Sequence, residues 1–262
     1  MFSAFHTNPK YLLSVFQTIE LINPNINILL SEEGLILQIM NISHTGIFNS
    51  KIDKSSFQSY SVDKSQRVGV QLKYLIKILD LMDVEDNVEF SITDTKLDVL
   101  TITRRNKSKT SIFVIKLLDI DQTEFDNSQF PDEYEIELRI QLNQFINDIK
   151  EMMVLESESI TICSDNSSEK VSFSSESDQG TLYTTIDSVK KAEDLNMSIY
   201  QLVKCNITTE LSIALEYLCA IFKMNHIATH VTLLINENQP LKVNIETDDL
   251  NEFHYYIAPK FD

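Results

Sequence analysis

The sequence predicts an α+β protein made of two similar domains, each with two helices packed on an antiparallel sheet. A few segments place apolar residues at helical spacing, while many others alternate apolar and polar residues as strands do. The order of these segments in the first half of the chain recurs in the second half. Only four glycines and five prolines interrupt the 262 residues, which favours long elements and short connections.

The first half is predicted to open with an amphipathic helix. Pro9 suits its first turn and Asn8 its cap, and apolar residues continue at helical spacing to Ile22. A second amphipathic helix is predicted over residues 68–82. Alternating runs predict strands over residues 25–30, 35–40, 46–52, 57–62, 88–93, 97–103 and 110–117.

The second half repeats this order. A strand over residues 134–142 leads into a third helix that carries Phe145 and Ile149 on one side. A shift of 134 residues superposes Tyr11 on Phe145, and a shift of 143 superposes residues 74–75 on 217–218. The second shift exceeds the first by nine residues, so the second half carries an insertion of nine residues, which is placed in the polar loop around 189–195. Agreement along both halves with one insertion predicts a duplicated domain, with a fourth helix near residue 217.

An acidic stretch separates the two halves. Residues 119–133 have no apolar periodicity, and six of these fifteen residues are aspartate or glutamate. Such a composition is typical of an extended connector. The predicted organisation is therefore an N-terminal domain over residues 1–118, a connector over 119–133 and a C-terminal domain over 134–262.

Composition limits the possible functions. Three cysteines without a CxxC pair argue against a disulfide framework or a zinc site. Neither a signal peptide nor an apolar run of transmembrane length is visible, which favours a cytosolic or nuclear protein. The net charge of −17 speaks, taken alone, against a nucleic-acid-binding surface, unless the charges are segregated by face.

Five stretches resemble the proliferating cell nuclear antigen (PCNA) family of DNA sliding clamps. They are MFSA at 1–4, GLILQIM at 34–40, VGVQL at 68–72, KLLDID at 116–121 and YYIAPKFD at 255–262. The resemblance implies a homotrimeric ring with pseudo-sixfold symmetry that encircles duplex DNA, with helices lining the hole. It also implies a processivity factor without catalytic activity or cofactor, located in the nucleus or another replication compartment. The implied partners are DNA polymerase, the clamp loader and other proteins with a glutamine-plus-aromatic-pair peptide.

The resemblance turns lysines on the polar helix faces into candidates for DNA contact. Lys73 and Lys77 lie four residues apart, opposite the apolar face of the second helix. The other candidates are Lys10, Lys150 and Lys223. The acidic residues Asp148, Glu151 and Glu216 are expected on the same faces, so the lining should be only weakly positive. An ordinary solvated helix face is the alternative interpretation.

The family's docking cleft gives a second set of candidates, expected to bind an aromatic pair from a partner peptide. This set comprises Met40, His44, Thr45, Ile47, Phe130, Pro131, Pro240, Tyr256, Ala258, Pro259, Lys260 and Phe261. Periodicity alone favours ordinary core packing for Met40 and Tyr256, and a loop position for His44.

Two apolar strands are predicted to be free sheet edges through which subunits pair head to tail. The residues concerned are Ile112, Phe113, Val114 and Ile115 on one strand, and Leu182, Tyr183 and Ile186 on the other. The alternative is that loops of the same chain cover these edges.

Catalytic motifs are missing from the sequence, which contains no GxxxxGK[ST], GxSxG or HExxH. His226 and His230 are four apart, but no third metal ligand is evident, so neither an enzyme nor a metal site is predicted. Two other functions stay open: a subunit of a heterotrimeric, checkpoint-type clamp, and a monomeric or dimeric viral processivity factor. A small hydrolase would need a catalytic constellation that the sequence does not show.

Overall fold

The computed structural model describes residues 1–121, 129–186 and 198–260. These residues form two compact units. Unit 1 contains residues 1–42, 48–121 and 247–253, and unit 2 contains residues 43–47, 129–186, 198–246 and 254–260. Both units combine helices with antiparallel strands, which confirms the predicted α+β class.

The first half of the chain contributes two helices, α1 (Pro9–Ile22) and α2 (Leu72–Asp80). Asn8 caps α1 as predicted, because its side-chain oxygen accepts a hydrogen bond from the Tyr11 N–H at 3.2 Å. The strands are β1 (Phe2–His6), β2 (Asn25–Ser31), β3 (Gly34–Met40), β4 (Gly46–Asp53), β5 (Ser59–Val62), β6 (Gln66–Gln71), β7 (Asn87–Thr93), β8 (Lys96–Arg105) and β9 (Thr110–Lys116).

The position predicted for the start of the second helix, residue 68, was wrong. Residues 68–71 belong to β6, where Val68 pairs with Ile28 and Val70 with Ile26 of β2. The β-branched valines on either side of Gly69 favour this pairing over a helical turn. Helix α2 therefore begins only at Leu72.

The second half contributes helices α3 (Leu142–Met152) and α4 (Leu215–Cys219), and α4 continues as a 3-10 helix over Ala220–Met224. Its strands are β10 (Ile136–Gln141), β11 (Ser159–Asp165), β12 (Lys170–Ser177), β13 (Gly180–Thr185), β14 (Tyr200–Cys205), β15 (Thr209–Ala214), β16 (Ala228–Ile235), β17 (Leu241–Thr247) and β18 (Glu252–Ile257). The nine-residue insertion predicted around 189–195 lies outside the described residues.

The two halves have the same order of elements over the described residues. Each runs strand, helix, five strands, helix and three strands, so β1 corresponds to β10 and β9 to β18. Alternating burial along the strands builds the core, as in β2 and its counterpart β11. Three strand groups follow from the pairing: β5-β1-β7-β8-β9, β13-β12-β11-β15, and a sheet in which β18 neighbours β4.

Candidate docking cleft, helix faces and sheet edges

Residues 258–260, which we call the C-terminal segment of unit 2, are fixed by backbone hydrogen bonds. The Ala258 N–H donates to the Thr45 carbonyl at 2.7 Å, and the Lys260 N–H donates to the Ser212 carbonyl at 2.8 Å. Between these two bonds Pro259 has no N–H to satisfy. The segment is therefore held along the surface, with Lys260 exposed and Ala258 and Pro259 half-buried.

An aromatic stack forms beside this segment. The rings of Phe130 and Tyr256 lie nearly parallel, with centroids 3.7 Å apart and planes 15° apart. Tyr256 is only 8% exposed, while Phe130 is half-buried, so Phe130 forms the outer layer of the stack. Burial raises the pKa of the Tyr256 phenol, with a smaller contribution from the Asp132 carboxylate. The stack is thus an apolar platform with one accessible ring.

A groove of about 550 Å³ is lined in part by the same segment. The C-terminal segment forms one wall, and the start of α4 forms another. The residues that shape it include Thr45, Ala214, Tyr217, Ala258, Pro259 and Lys260. The Tyr217 hydroxyl is hydrogen-bonded to the Ser43 hydroxyl at 2.9 Å, which ties the loop before β4 to α4. Unit 2 therefore presents an aromatic platform and a groove next to one extended segment.

Comparison with known proteins assigns the family. The sequence-family model of the proliferating cell nuclear antigen N-terminal domain matches residues 1–129. The sequence-family model of the proliferating cell nuclear antigen C-terminal domain matches residues 130–260. The chain belongs to the PCNA family. It is therefore a DNA sliding clamp that acts in DNA replication.

Several members of the PCNA family are similar to the chain along most of its length. It is 26% identical to proliferating cell nuclear antigen of Dictyostelium discoideum over 266 aligned positions, which cover all of both chains. It is 28% identical to proliferating cell nuclear antigen 2 of Drosophila melanogaster, covering 88% of this chain and 86% of the relative. Identity to the Chaetomium thermophilum protein is 27% with the same coverage. The chain is a divergent member of the PCNA family.

Most residues predicted for the PCNA docking cleft lie in unit 2: His44, Thr45, Ile47, Phe130, Pro131, Pro240, Tyr256, Ala258, Pro259 and Lys260. Met40 lies in unit 1, at the end of β3, and Phe261 lies outside the described residues. His44 is exposed in a turn with a φ of 60°. Sequence reasoning missed Ala214 and Tyr217, although the repeat had already aligned Tyr217 with Tyr74.

The predicted DNA-facing lysines fall into two groups. Lys73, Lys77, Lys150 and Lys223 are exposed. Lys10 is partly buried because its ammonium donates to the Asp80 carbonyl at 3.1 Å and lies 3.8 Å from the Asp80 carboxylate. This contact joins the start of α1 to the end of α2.

The prediction that Asp148 shares the exposed polar face of α3 was wrong. Asp148 is 2% exposed and accepts hydrogen bonds from Gln144 Nε2 at 2.7 Å and from the Tyr200 hydroxyl at 2.8 Å. Burial raises the pKa of its carboxyl. A polar residue therefore occupies a buried position because two neighbouring side chains satisfy it. Glu151 and Glu216 are exposed as predicted.

The two strands predicted as edges lie at the ends of their sheets. β9 ends the five-stranded sheet and β13 ends the four-stranded sheet. Ile112 and Val114 are 65% and 55% exposed, and Tyr183 is 77% exposed. Phe113, Ile115 and Leu182 face the other side and are partly buried. Ile186 is 5% exposed, so it is a core residue and not part of an exposed edge.

The structure also locates the histidine pair. His226 lies in the turn before β16 and His230 within that strand. Within residues 1–121, 129–186 and 198–260, no group of three or more histidine, cysteine or acidic side chains is arranged to hold a metal ion. None of the helices in these ranges is long and apolar enough to cross a bilayer.

Proposed function

We propose that three copies of the chain close head to tail into a ring around duplex DNA, with β9 of one copy pairing with β13 of the next. The internal repeat carries this proposal. β18 and β4 are neighbours in one sheet of the chain, and their counterparts in the other half are β9 and β13. Those two counterparts are the strands that end their sheets. Pairing between copies would repeat a junction that the chain already contains.

The surface chemistry of the two edges supports this pairing. A free edge strand with exposed apolar side chains is a template for association. Ile112 and Val114 point outward from β9, and Tyr183 points outward from β13. Burying one such side chain contributes about 1.5–3 kcal/mol to association. Two different edges that pair head to tail close a ring when the rotation between copies fits.

In such a ring the exposed lysines Lys73, Lys77, Lys150 and Lys223 would contact phosphates. Glu151 and Glu216 are exposed on the same helices and weaken the positive field. Lys10 is already engaged by Asp80. Contacts of this kind are few, non-specific and sensitive to salt, which suits sliding better than tight binding. The closed ring, and not the charge of its lining, would retain the DNA.

We further propose that unit 2 recruits polymerase, clamp loader and other replication proteins through one linear peptide. The aromatic pair of the peptide would cover the exposed ring of Phe130 above Tyr256. Its glutamine would enter the groove beside Ala258, where the Thr45 and Tyr217 hydroxyls line the wall. The work done by the chain is then binding and not catalysis. Its place would be the nucleus or another replication compartment.

Sedimentation equilibrium tests the ring. The unmodified chain should have three times the 30.2 kDa mass of one copy. Val114→Lys would place an ammonium in the paired edge and should shift the mass to that of one copy. Leu97→Lys is the matched control, because Leu97 is 60% exposed but lies on the inner strand β8. A monomeric parent that trimerises only with other clamp chains would instead favour the heterotrimer.

A further inference from the structure

Two lysines approach one end of the aromatic platform in unit 2. The Lys242 ammonium lies 5.5 Å from the ring centroid of Tyr256 and 5.7 Å from that of Tyr134. The Lys204 ammonium donates a hydrogen bond to the Tyr134 carbonyl. Both ammonium groups therefore lie near Tyr134, two residues before β10 begins. We name Lys204, Lys242 and Tyr134 the basic corner.

The Lys242 ammonium is incompletely stabilised. It is partly buried, and no carboxylate of the described residues lies within 4 Å of it. Burial lowers the pKa of the Lys242 ammonium. The charge of the Asp132 carboxylate opposes this shift by through-space electrostatics, without an ion pair. Contact with two aromatic faces compensates only part of the lost hydration.

A second observation also indicates that the basic corner lacks a hydrogen-bond acceptor. Tyr134 is 4% exposed, and its hydroxyl has no hydrogen-bond partner among the described residues. Buried polar groups in folded proteins are normally satisfied, so the unpaired hydroxyl of Tyr134, whose ring lies 5.7 Å from the Lys242 ammonium, indicates a missing acceptor. A carboxylate can accept from hydroxyl and ammonium donors alike.

We infer that the basic corner binds a carboxylate of the docked peptide, so that preferred partners carry an aspartate or glutamate flanking their aromatic pair. This inference rests on the proposed docking function, because the corner adjoins the same Tyr256 ring. Asp132 is exposed, and its carboxylate acts on the Lys242 ammonium through space, so it would compete with a bound carboxylate. The corner therefore sets specificity within the cleft, while the aromatic pair supplies most of the affinity.

Calorimetric titration with paired peptides tests this inference. The neutral parent peptide carries a glutamine and an aromatic pair with amide residues at every flanking position. Each test peptide replaces one flanking amide by its acid. The best acidic peptide should bind about tenfold tighter than its amide isostere, and the ratio should fall towards one as salt rises from about 0.05 M to about 0.5 M.

Lys242→Met keeps the aliphatic chain against both rings but removes the charge, so it should abolish the acid preference and leave the neutral peptide bound. Lys170→Met removes one exposed charge elsewhere in unit 2 and should keep the preference. If Lys242→Met does not fold, Lys242→Arg should retain the preference and its salt dependence. Binding of the neutral peptide with no acid preference in the parent protein overturns the inference alone. Failure of every peptide to bind overturns the docking function as well.

Discussion

The exposed ring of Phe130 gives the sharpest test of the docking cleft. Phe130→Ala removes the outer layer of the aromatic stack and exposes the face of Tyr256. If Phe130 and the bound aromatic pair each lose about 40 Å² of apolar surface on contact, the loss of this roughly 80 Å² at about 25 cal/mol per Å² is about 2 kcal/mol. That loss corresponds to a dissociation constant about thirty times larger. The stack itself contributes about 1 kcal/mol to folding, so the variant should remain folded.

The assay is calorimetric titration of a peptide with a glutamine and an aromatic pair, with thermal unfolding as the folding control. Phe222→Ala is the matched variant, because Phe222 is also half-buried but contacts Lys150 of α3. It should leave peptide affinity unchanged. Unchanged affinity in Phe130→Ala, together with lower stability, would show that Phe130 is only a cover for Tyr256. Tyr256→Ala is a poorer test, because Tyr256 is 8% exposed and its loss would also open a cavity.

Three further outcomes are expected. The pKa of Asp148 is raised in the folded state, so its contribution to stability is full below the unfolded-state pKa and is lost as pH rises through the folded-state pKa. Asp148→Asn should therefore gain stability relative to the parent as pH rises from acidic to neutral in denaturant titrations, and a pH-independent difference would contradict this. Replacing Lys73 and Lys77 by Gln should reduce the salt slope of DNA binding by about two, measured by anisotropy; an unchanged slope would exclude them from the DNA face. Gly34→Ala should destabilise the fold more than Gly180→Ala, because both have positive φ but only at Gly34 would the new Cβ meet a backbone oxygen, at 2.1 Å. Equal losses in urea unfolding would refute that steric argument.

Much of the fold could be predicted because burial alternates along single strands and recurs across the repeat. The cap of α1 followed from Asn8 and Pro9 alone. The first turn predicted for α2 failed because pairing of Val68 and Val70 with β2 is non-local and has no signature in the helical period. Helix α4 was predicted as one helix, but it tightens into a 3-10 helix at Ala220, where three of five residues are buried.

Side-chain partnerships were the part of the site that sequence could not supply. A helical wheel places Asp148 among polar neighbours, but Tyr200, 52 residues away, makes its burial possible. Lys10 likewise looks free until Asp80 is seen beside it. No sequence pattern identifies Lys242, because its proposed role depends on the rings of Tyr134 and Tyr256, which only the fold places beside it. The resemblance supplied most residues of the proposed cleft, but it did not indicate this lysine.

Topological retention on DNA tests the central claim most directly. The protein would be loaded onto nicked circular DNA, separated from free protein at moderate salt, and the DNA then cut once with a restriction enzyme. A ring whose lining binds weakly should stay on the circle and leave after the cut, as measured by gel filtration of labelled protein. Equal retention before and after the cut would contradict encirclement and would indicate ordinary surface binding. Loss from the intact circle at the rate seen for linear DNA would show that the chain does not close.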